Sequence, residues 1–396
     1  MNKAADKIAE ITVKKSGILR LTLTEFRNYE FMRLNFSDSP VVITGENGSG
    51  KTNILEAISF LTPGRGLRSA KLSDIQRIGS SESRLINSWA VAAKIRKNDE
   101  EFDVGTALES LNIGESGRSY DHRIVKINGE KISSQAELGK YISAIWLTPQ
   151  MDRLFRCGAQ PRRSFLDRLV YAFDIEHAKR TSQFEHLYRE WFELIKTGRG
   201  NKSWFEALEK EMAETGVAIA AARKDIVAKL NTFIDSEPDD IFPNVSIELE
   251  GQIEKLLDDK PAVEVEDIYK GLLFEQRRSI LYNDNIEGVN RTDFKVFYKN
   301  KNMAAELCST GEQKSLLIGL ILAQTRCRIL DKGFAPILLL DEVVAHLDSA
   351  KKEALIQKIA DLRLQAFITA TDAGLFSSMR KYAQFIEVSN GQIIKN

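Results

Sequence analysis

The run Gly45-Glu46-Asn47-Gly48-Ser49-Gly50-Lys51-Thr52 has the spacing G-x-x-x-x-G-K-[ST] that cradles nucleotide phosphates. Its glycines let successive backbone N–H groups turn inward around an anion, and a helix starting at the loop's end adds its positive dipole end. Lys51 is expected to reach the β and γ phosphates and the Thr52 hydroxyl to ligand Mg²⁺, with Asn53 opening the helix beside the nucleotide. Two acids stand late in the chain, at the end of the apolar run Pro336-Ile-Leu-Leu-Leu-Asp341-Glu342. There Asp341 would hold Mg²⁺ through water, and Glu342 would orient and polarise an attacking water for phosphoryl transfer. Either pattern alone arises by chance; the pair points to ATP hydrolysis.

These groups need elements to hold them. Val41-Val-Ile-Thr44 reads as a buried strand entering the glycine loop, and the run from Asn53 to Leu61 as an amphipathic helix leaving it. Upstream, Ile18 to Thr24 alternates as a strand, turns at Phe26-Arg-Asn-Tyr29 and returns through Phe31 to Phe36 as a hairpin. After the helix comes a basic glycine loop, Thr62-Pro-Gly-Arg-Gly-Leu-Arg68, which lies near the nucleotide or is a solvated turn. Short β-like runs between Asn87 and Ile132, closed by Asn128-Gly129, read as an antiparallel meander, and Ala144 to Pro149 as another buried strand. More than half of the chain separates Lys51 from Asp341, so the nucleotide fold must be split in sequence and closed in space. Helical patterns from Asp152 fill the gap, with a seam over Trp204 to Ile234 that suits a core-facing helix better than a free coiled coil. Val245 to Glu250 reads as an edge strand, and Val265 to Ser279 returns to helix.

Composition narrows the class. The 396 residues suit two to three domains, and 43% hydrophobic with 28% charged residues is ordinary for a soluble protein. Lys+Arg and Asp+Glu are both 56, so nucleic-acid or membrane binding would need a local patch. Cys157, Cys308 and Cys327 are odd in number and lack CxxC spacing, which fits a reducing cytosol. The polar start, Met1 to Lys15, is expected to be neither signal peptide nor membrane anchor, and no run approaches a membrane span. His122, His177, His186 and His346 have no zinc-ligand spacing.

Cys308-Ser309-Thr-Gly311-Glu-Gln313-Lys314 precedes a strongly helical run. This Ser-x-Gly-x-Gln at a helix start resembles the signature motif of the ABC ATPase superfamily, which binds the γ-phosphate of ATP held by a partner head. A hydroxyl, a glycine N–H and a helix dipole suit a second phosphate site; taken alone, Ser309 is equally a helix cap. Ala345-His-Leu-Asp348 is placed like the superfamily's D-loop, and Gln150 like its Q-loop glutamine, a contact to water and Mg²⁺. Where many relatives have a switch histidine the chain has Thr371-Asp372, either a replacement or a helix cap.

Over nearly its full length the chain resembles the RecF family of bacterial recombination mediators. The likeness is carried by Phe26-Arg27-Asn-Tyr29, the glycine loop, Gly64-Arg-Gly-Leu-Arg68, Pro161-Arg162-Arg163-Ser-Phe-Leu-Asp167, Ser309 to Lys314, and Leu339-Leu-Asp-Glu342. Pro149-Gln-Met-Asp152 and Gly288-Val-Asn-Arg-Thr-Asp293 depart from the usual family patterns. The resemblance implies an α/β fold: an ABC-type P-loop ATPase head, split in sequence, with an antiparallel β meander and an inserted, mainly helical arm domain. The expected segments are an extension at 1–17, head at 18–151, insert at 152–285 and head again at 286–396. Implied roles are catalysis by Lys51, Glu342 and Gln150, metal binding by Thr52, Asp341 and Gln150, and nucleotide contacts from Arg27, Arg68, Ser309, Gly311, Gln313 and Asp348. Implied too are a weak, DNA-stimulated ATPase that dimerises with ATP on single-strand/double-strand junctions, and work with RecR and RecO to load RecA in gap repair and the SOS response. Arg153, Arg156, Arg162, Arg163 and Arg168 concentrate charge that follows DNA phosphates, is a solvated face or, for Arg162 and Arg163, braces the head against its arm. A transporter ATPase subunit would show a double glycine near Ser309 and a shorter insert, and a chromosome-condensation ATPase a far longer arm.

Overall fold

The computed structural model describes residues 16–77, 89–98, 100–113, 118–236, 238–239, 241–279 and 288–395. Most of the expected 1–17 extension, and the expected boundary at 285/286, lie outside the described residues; Ser16 and Gly17 open the first strand. The chain divides into two compact units, residues 1–151 with 324–396, and residues 152–323.

The first unit begins with the hairpin β1 (Ser16–Phe26) and β2 (Tyr29–Asn35), then β3 (Val41–Thr44) and α1 (Lys51–Ser59). The meander follows as β4 (Ala90–Lys97), β5 (Glu100–Ile113), β6 (Arg118–Ile127) and β7 (Glu130–Lys131), and β8 (Ala144–Leu147) ends this part. The second unit holds α2 (Ala159–Tyr171), α3 (His177–Thr197), α4 (Lys202–Ser236), β9 (Val245–Glu250), α5 (Gln252–Asp259), α6 (Ala262–Ser279), β10 (Asp293–Tyr298) and β11 (Met303–Ala304). Within α7 (Thr310–Lys332) the chain returns to the first unit, which adds β12 (Ile337–Asp341), α8 (Ser349–Asp361), β13 (Ala366–Ala370), β14 (Gln384–Ser389) and β15 (Gln392–Lys395). Residues 286–323 were expected with the head; the described part of that segment packs in the second unit instead.

Two sheets build the first unit among the described residues. The order β15-β14-β3-β13-β12-β8 is parallel except for β15, and β3, β12 and β13 are buried along their whole length. Uninterrupted apolar runs are what a parallel sheet covered on both faces requires. The hairpin and meander, read as separate in sequence, join into one antiparallel sheet, β2-β1-β4-β5-β6-β7. Gln365 ties the two sheets: its amide accepts from Ile18 N at 2.7 Å and donates to Ile18 O at 2.8 Å and Ser37 O at 2.9 Å.

Arg123 of β6 is buried and, among the described residues, has no carboxylate partner. It donates to Thr106 Oγ1, Gln135 Oε1 and the carbonyls of Gly64 and Phe60, pinning the loop after α1 to the meander. Burial lowers its pKa to about 9.

In the second unit α4 lays Phe205, Leu208, Met212, Val217 and Ala220 into a core shared with α3 and α6. That seam is core-facing, and the strand at β9 is an edge of the small sheet β11-β10-β9. Beneath α2 lies a buried polar cluster. Asp167 accepts from His177 Nε2 at 2.9 Å and from Arg223 at 2.9 and 3.0 Å. Arg223 also donates to Val289 O at 2.7 Å and Thr292 Oγ1 at 3.2 Å, and Thr292 donates to Glu254 at 2.7 Å. Burial alone would raise the Asp167 pKa, but Arg223's charge and the His177 hydrogen bond outweigh it and hold the carboxyl well below its usual range.

Arg223→Leu strips the cation from Asp167 and Glu254, and a loss of about 3 kcal/mol is expected in urea unfolding. Because the folded Asp167 pKa is depressed, its contribution is complete above the unfolded value of about 4 and fades as pH falls below it. Asp167→Asn should therefore flatten the stability-versus-pH slope below about pH 4.

Candidate nucleotide site and signature loop

The phosphate-binding loop joins β3 to α1 through three residues with left-handed φ: Gly45 (147°), Gly48 (81°) and Gly50 (117°). A Cβ at Gly45 would sit 2.1 Å from Val388 O, and one at Gly50 2.5 Å from Asn28 Nδ2, so both space and backbone demand glycine. The loop is propped from behind by the β1–β2 turn. Asn28 Nδ2 donates to Ser49 O at 3.0 Å, Tyr29 Oη to Gly50 O at 3.1 Å, and Asn53 Nδ2 to Asn28 Oδ1 at 2.8 Å. Neither Asn28 nor Tyr29 was assigned to the site from the sequence; the signals were their place in the turn before the loop strand and in the Phe26-Arg-Asn-Tyr29 run that carries the family likeness.

Arg27 and Arg68 meet at Glu56, whose side chain is fully buried. Arg27 forks onto it at 2.6 and 2.9 Å and donates to Asp74 O, while Arg68 reaches it at 2.9 Å and Asn53 Oδ1 at 2.8 Å. Both arginines, expected at the nucleotide, clamp α1 to the turn before it and the loop after it.

The chemistry-bearing groups converge at the carboxyl ends of β3, β12 and β13. Asp341 Oδ1 accepts from Thr52 Oγ1 at 2.8 Å and from Thr369 Oγ1 at 2.7 Å, and Thr369 Oγ1 accepts from Glu342 N at 3.0 Å. Glu342 has φ 52°, ψ 18°, a left-handed conformation that costs a non-glycine residue energy and ends the strand's extended run. Lys51 Nζ donates to Gly45 O at 2.7 Å and Glu46 O at 2.8 Å. Burial lowers its pKa, opposed in part by the charges of Glu342 and Asp341. Gln150, exposed just beyond β8, lies at the same end of the sheet, since β8 runs parallel to β12 with Leu147 opposite Leu340.

These residues fit a nucleotide phosphate. The N-terminus of α1 has no side-chain cap, Ser49 Oγ is buried without a hydrogen-bond partner, and nothing stands within 4 Å of a Cβ at Gly48. They also fit Mg²⁺: one hydroxyl and one carboxylate lie side by side, leaving the remaining positions to phosphate and water oxygens. Among the described residues no group of three or more His, Cys, Asp or Glu side chains forms a self-sufficient metal cage.

The signature loop belongs to the second unit. Ser309 and Glu312 form a reciprocal capping box at the start of α7: Ser309 N and Oγ meet Glu312 Oε2 at 2.9 and 2.8 Å, and Glu312 N meets Ser309 Oγ at 3.4 Å. Lys301 pairs with the same carboxylate. Gln313, expected at a nucleotide, is 1% exposed and donates to Cys308 O at 2.9 Å and Glu306 O at 3.2 Å, holding the loop from inside. Ser309 and Gly311 remain on the surface. In the first unit Asp348 caps α8 through Lys351 N at 2.9 Å, and Asp372 caps the 3-10 turn Ala373–Met379 through Gly374 N at 2.7 Å. Thr371 is exposed; the His346 side chain lies outside the described residues.

The arginines expected at DNA separate into two kinds. Arg162 is 7% exposed, forks onto Asp293 at 2.7 Å on both nitrogens and caps the carbonyls of Phe155 and Cys157, a brace within the second unit. Arg163 donates to Thr292 O at 2.9 Å, and Arg168 stacks on Phe165, its pKa lowered to about 10 by burial. Arg153 and Arg156 are exposed, although Arg156 donates to Cys308 O at 3.2 Å. An adjacent run of cations in sequence is thus mostly an internal framework.

Comparison with known proteins agrees with this geometry. Residues 17–394 match the family profile described as RecF/RecN/SMC N terminal domain. The DNA replication and repair protein RecF of Mesorhizobium japonicum is 44% identical over 96% of this chain and 98% of its own length, and that of Agrobacterium fabrum 42% identical over the same shares. The fold is similar to solved structures of the recombination mediator protein RecF with ATP and with ATPrS: TM-score 0.78 for both, at 22% and 20% identity, covering 97% of this chain and 100% and 99% of those. With its phosphate loop, its paired acids and this likeness along nearly the whole chain, the protein belongs to the RecF family, an ABC-type ATPase fold within the RecF/RecN/SMC group.

Proposed function

We propose that this protein is an ATP-driven DNA-binding protein of replication and repair, which dimerises around ATP on gapped or junction DNA and is released by hydrolysis. The observation that carries the reading is the Thr52–Asp341–Thr369–Glu342 chain beside an uncapped glycine loop. Mg²⁺ held by Thr52 and Asp341 would neutralise the β and γ phosphates. Lys51, at present on its own loop's carbonyls, would transfer its hydrogen bonds to the γ-phosphate, whose charge suits a buried ammonium. Glu342 would hold the attacking water, with Gln150 beside it. The water oxygen then bonds to the γ-phosphorus, the bond from that phosphorus to the bridging oxygen breaks, and Glu342 takes the water's proton as ADP leaves.

Ser309 and the Gly311 N–H would complete the site around ATP bound by a second copy. This makes dimerisation the switch, and hydrolysis the release. By family likeness the DNA is a single-strand/double-strand junction, RecR and RecO are the partners, and RecA loading in gap repair and the SOS response is the outcome. A cytoplasmic location follows from that role. Among the described residues no helix is long and apolar enough to cross a membrane.

Lys51→Ala should weaken binding of a fluorescent ATP analogue by about 100-fold, the loss of a charged hydrogen-bond donor. Asn28→Ala, which removes the prop behind the loop without touching nucleotide, should weaken it by about tenfold while leaving the far-UV spectrum unchanged. Light scattering of Glu342→Gln in saturating Mg-ATP should show a dimer, strengthened by gapped duplex; a persistent monomer would sink the dimer scheme. Ser309→Arg should stay monomeric yet bind ATP with wild-type affinity.

A further inference from the structure

With Arg162, Arg163 and Arg168 built into the second unit, the accessible cations of the first unit become the better surface for a polyanion. Two exposed ones, Arg33 and Lys126, line one face of the antiparallel sheet together with the half-buried Arg20. One register line across five strands reads Arg33, Thr22, Ala92, Gly105, Lys126 from β2 to β6. The next line carries Arg20, Lys94 and Asp103, and the line on the other side begins at Phe31. The centre of this face is a groove of about 300 Å³, lined by the three cations Arg20, Arg33 and Lys126 and the single carboxylate Asp103.

Two features of the groove have no role inside the fold. Gly105 has an ordinary strand backbone, and a Cβ there would meet only Val91 O at 3.9 Å, so neither conformation nor packing requires glycine. A bare position in a strand interior suits the close approach of another backbone. The cations at the two ends are exposed and, among the described residues, Arg33 and Lys126 make no ion pair; Arg33 lies 5.7 Å from the Phe31 ring centroid. Arg20 meets Asp103 only at 3.8 Å, with the two side chains 42% and 63% exposed, a weak pairing that a phosphate can replace. Phe31 is 61% exposed. Four strand spacings separate Arg33 from Lys126, about 19 Å between backbones, so the two long side chains can embrace a strand lying between them.

We propose that this sheet face binds the phosphate backbone of DNA, with Arg33 and Lys126 as the main phosphate contacts, Arg20 assisting, and Phe31 stacking on an unpaired base. It rests on the DNA-binding reading above and supplies that reading's surface. Charge alone would also suit an acidic peptide. The exposed ring beside Arg33 favours nucleic acid, whose bases stack on aromatic faces whatever their sequence.

The test uses the full chain with Mg-ATP and labelled single-stranded and duplex oligonucleotides, followed by fluorescence anisotropy across a salt series. Arg33→Glu combined with Lys126→Glu should lower affinity for both by about tenfold or more and reduce the slope of log affinity against log salt by about 2. Binding of a fluorescent ATP analogue should stay within about twofold, since neither residue approaches the glycine loop. Phe31→Ala should lower single-strand affinity by about fivefold and leave the duplex unchanged. Wild-type DNA affinity and salt slope in the double variant would overturn the proposal, as would loss of poly-glutamate binding alone. If the unaltered protein bound neither oligonucleotide with Mg-ATP present, the DNA-binding reading itself would fall, and this surface with it.

Discussion

A single oxygen, Asp341 Oδ1, accepts hydrogen bonds from Thr52 of the phosphate-loop helix and from Thr369 of the strand between. The nucleotide site depends on that junction. Thr52 and Asp341 are 289 positions apart, and they meet because β13 lies between β3 and β12 in parallel register, with Thr369 opposite both Ile43 and Asp341. Parallel pairing aligns the carboxyl ends of all three strands, which is where open α/β sheets present their ligand groups. A one-residue slip of β13 would turn Thr369 to the other face and separate the two halves of the site.

Around this junction, arginine is used as an internal fastener more than as a surface charge. Arg27 and Arg68 close on Glu56, Arg162 on Asp293, and Arg223 on Asp167, while Arg123 holds a loop by its carbonyls alone. The planar guanidinium suits this because one side chain can satisfy a carboxylate and several carbonyls at once. Such pairs are costly to break and add little by being buried, so they define geometry rather than supply stability. The geometry they define here is that of the β1–β2 turn against α1, the loop after α1, and the seating of α2 against β10 and α4.

That use of arginine redistributes the protein's electrostatics. With equal numbers of acids and bases, binding to a polyanion depends on where cations are left unpaired. Among the described residues Arg33 and Lys126 make no ion pair, on a sheet face whose small residues keep its centre open. On the reading proposed above, ATP and DNA would meet the same unit by different means: the glycine loop for one, the basic groove of a sheet face for the other.

The phosphate loop, the acids after β12, the core-facing seam of α4 and the split of the fold were legible in order and spacing, because each depends on local periodicity or on glycine at fixed positions. The same local evidence could not name a side chain's partner where that partner is remote in sequence. Nothing adjacent to Arg162 announces Asp293, nothing near Arg27 announces Glu56, and Gln313 looks the same in sequence whether it faces a nucleotide or its own loop. Asn28 and Tyr29 became part of the site only when the first hairpin folded against the phosphate loop, and the segment before α7 took its place in the second unit only through packing. By itself the sequence determined which chemical groups the protein owns and the elements that carry them. The tertiary structure decided which of those groups remain free to act, because burial and long-range pairing are properties of the folded chain and leave no mark on its neighbours in sequence.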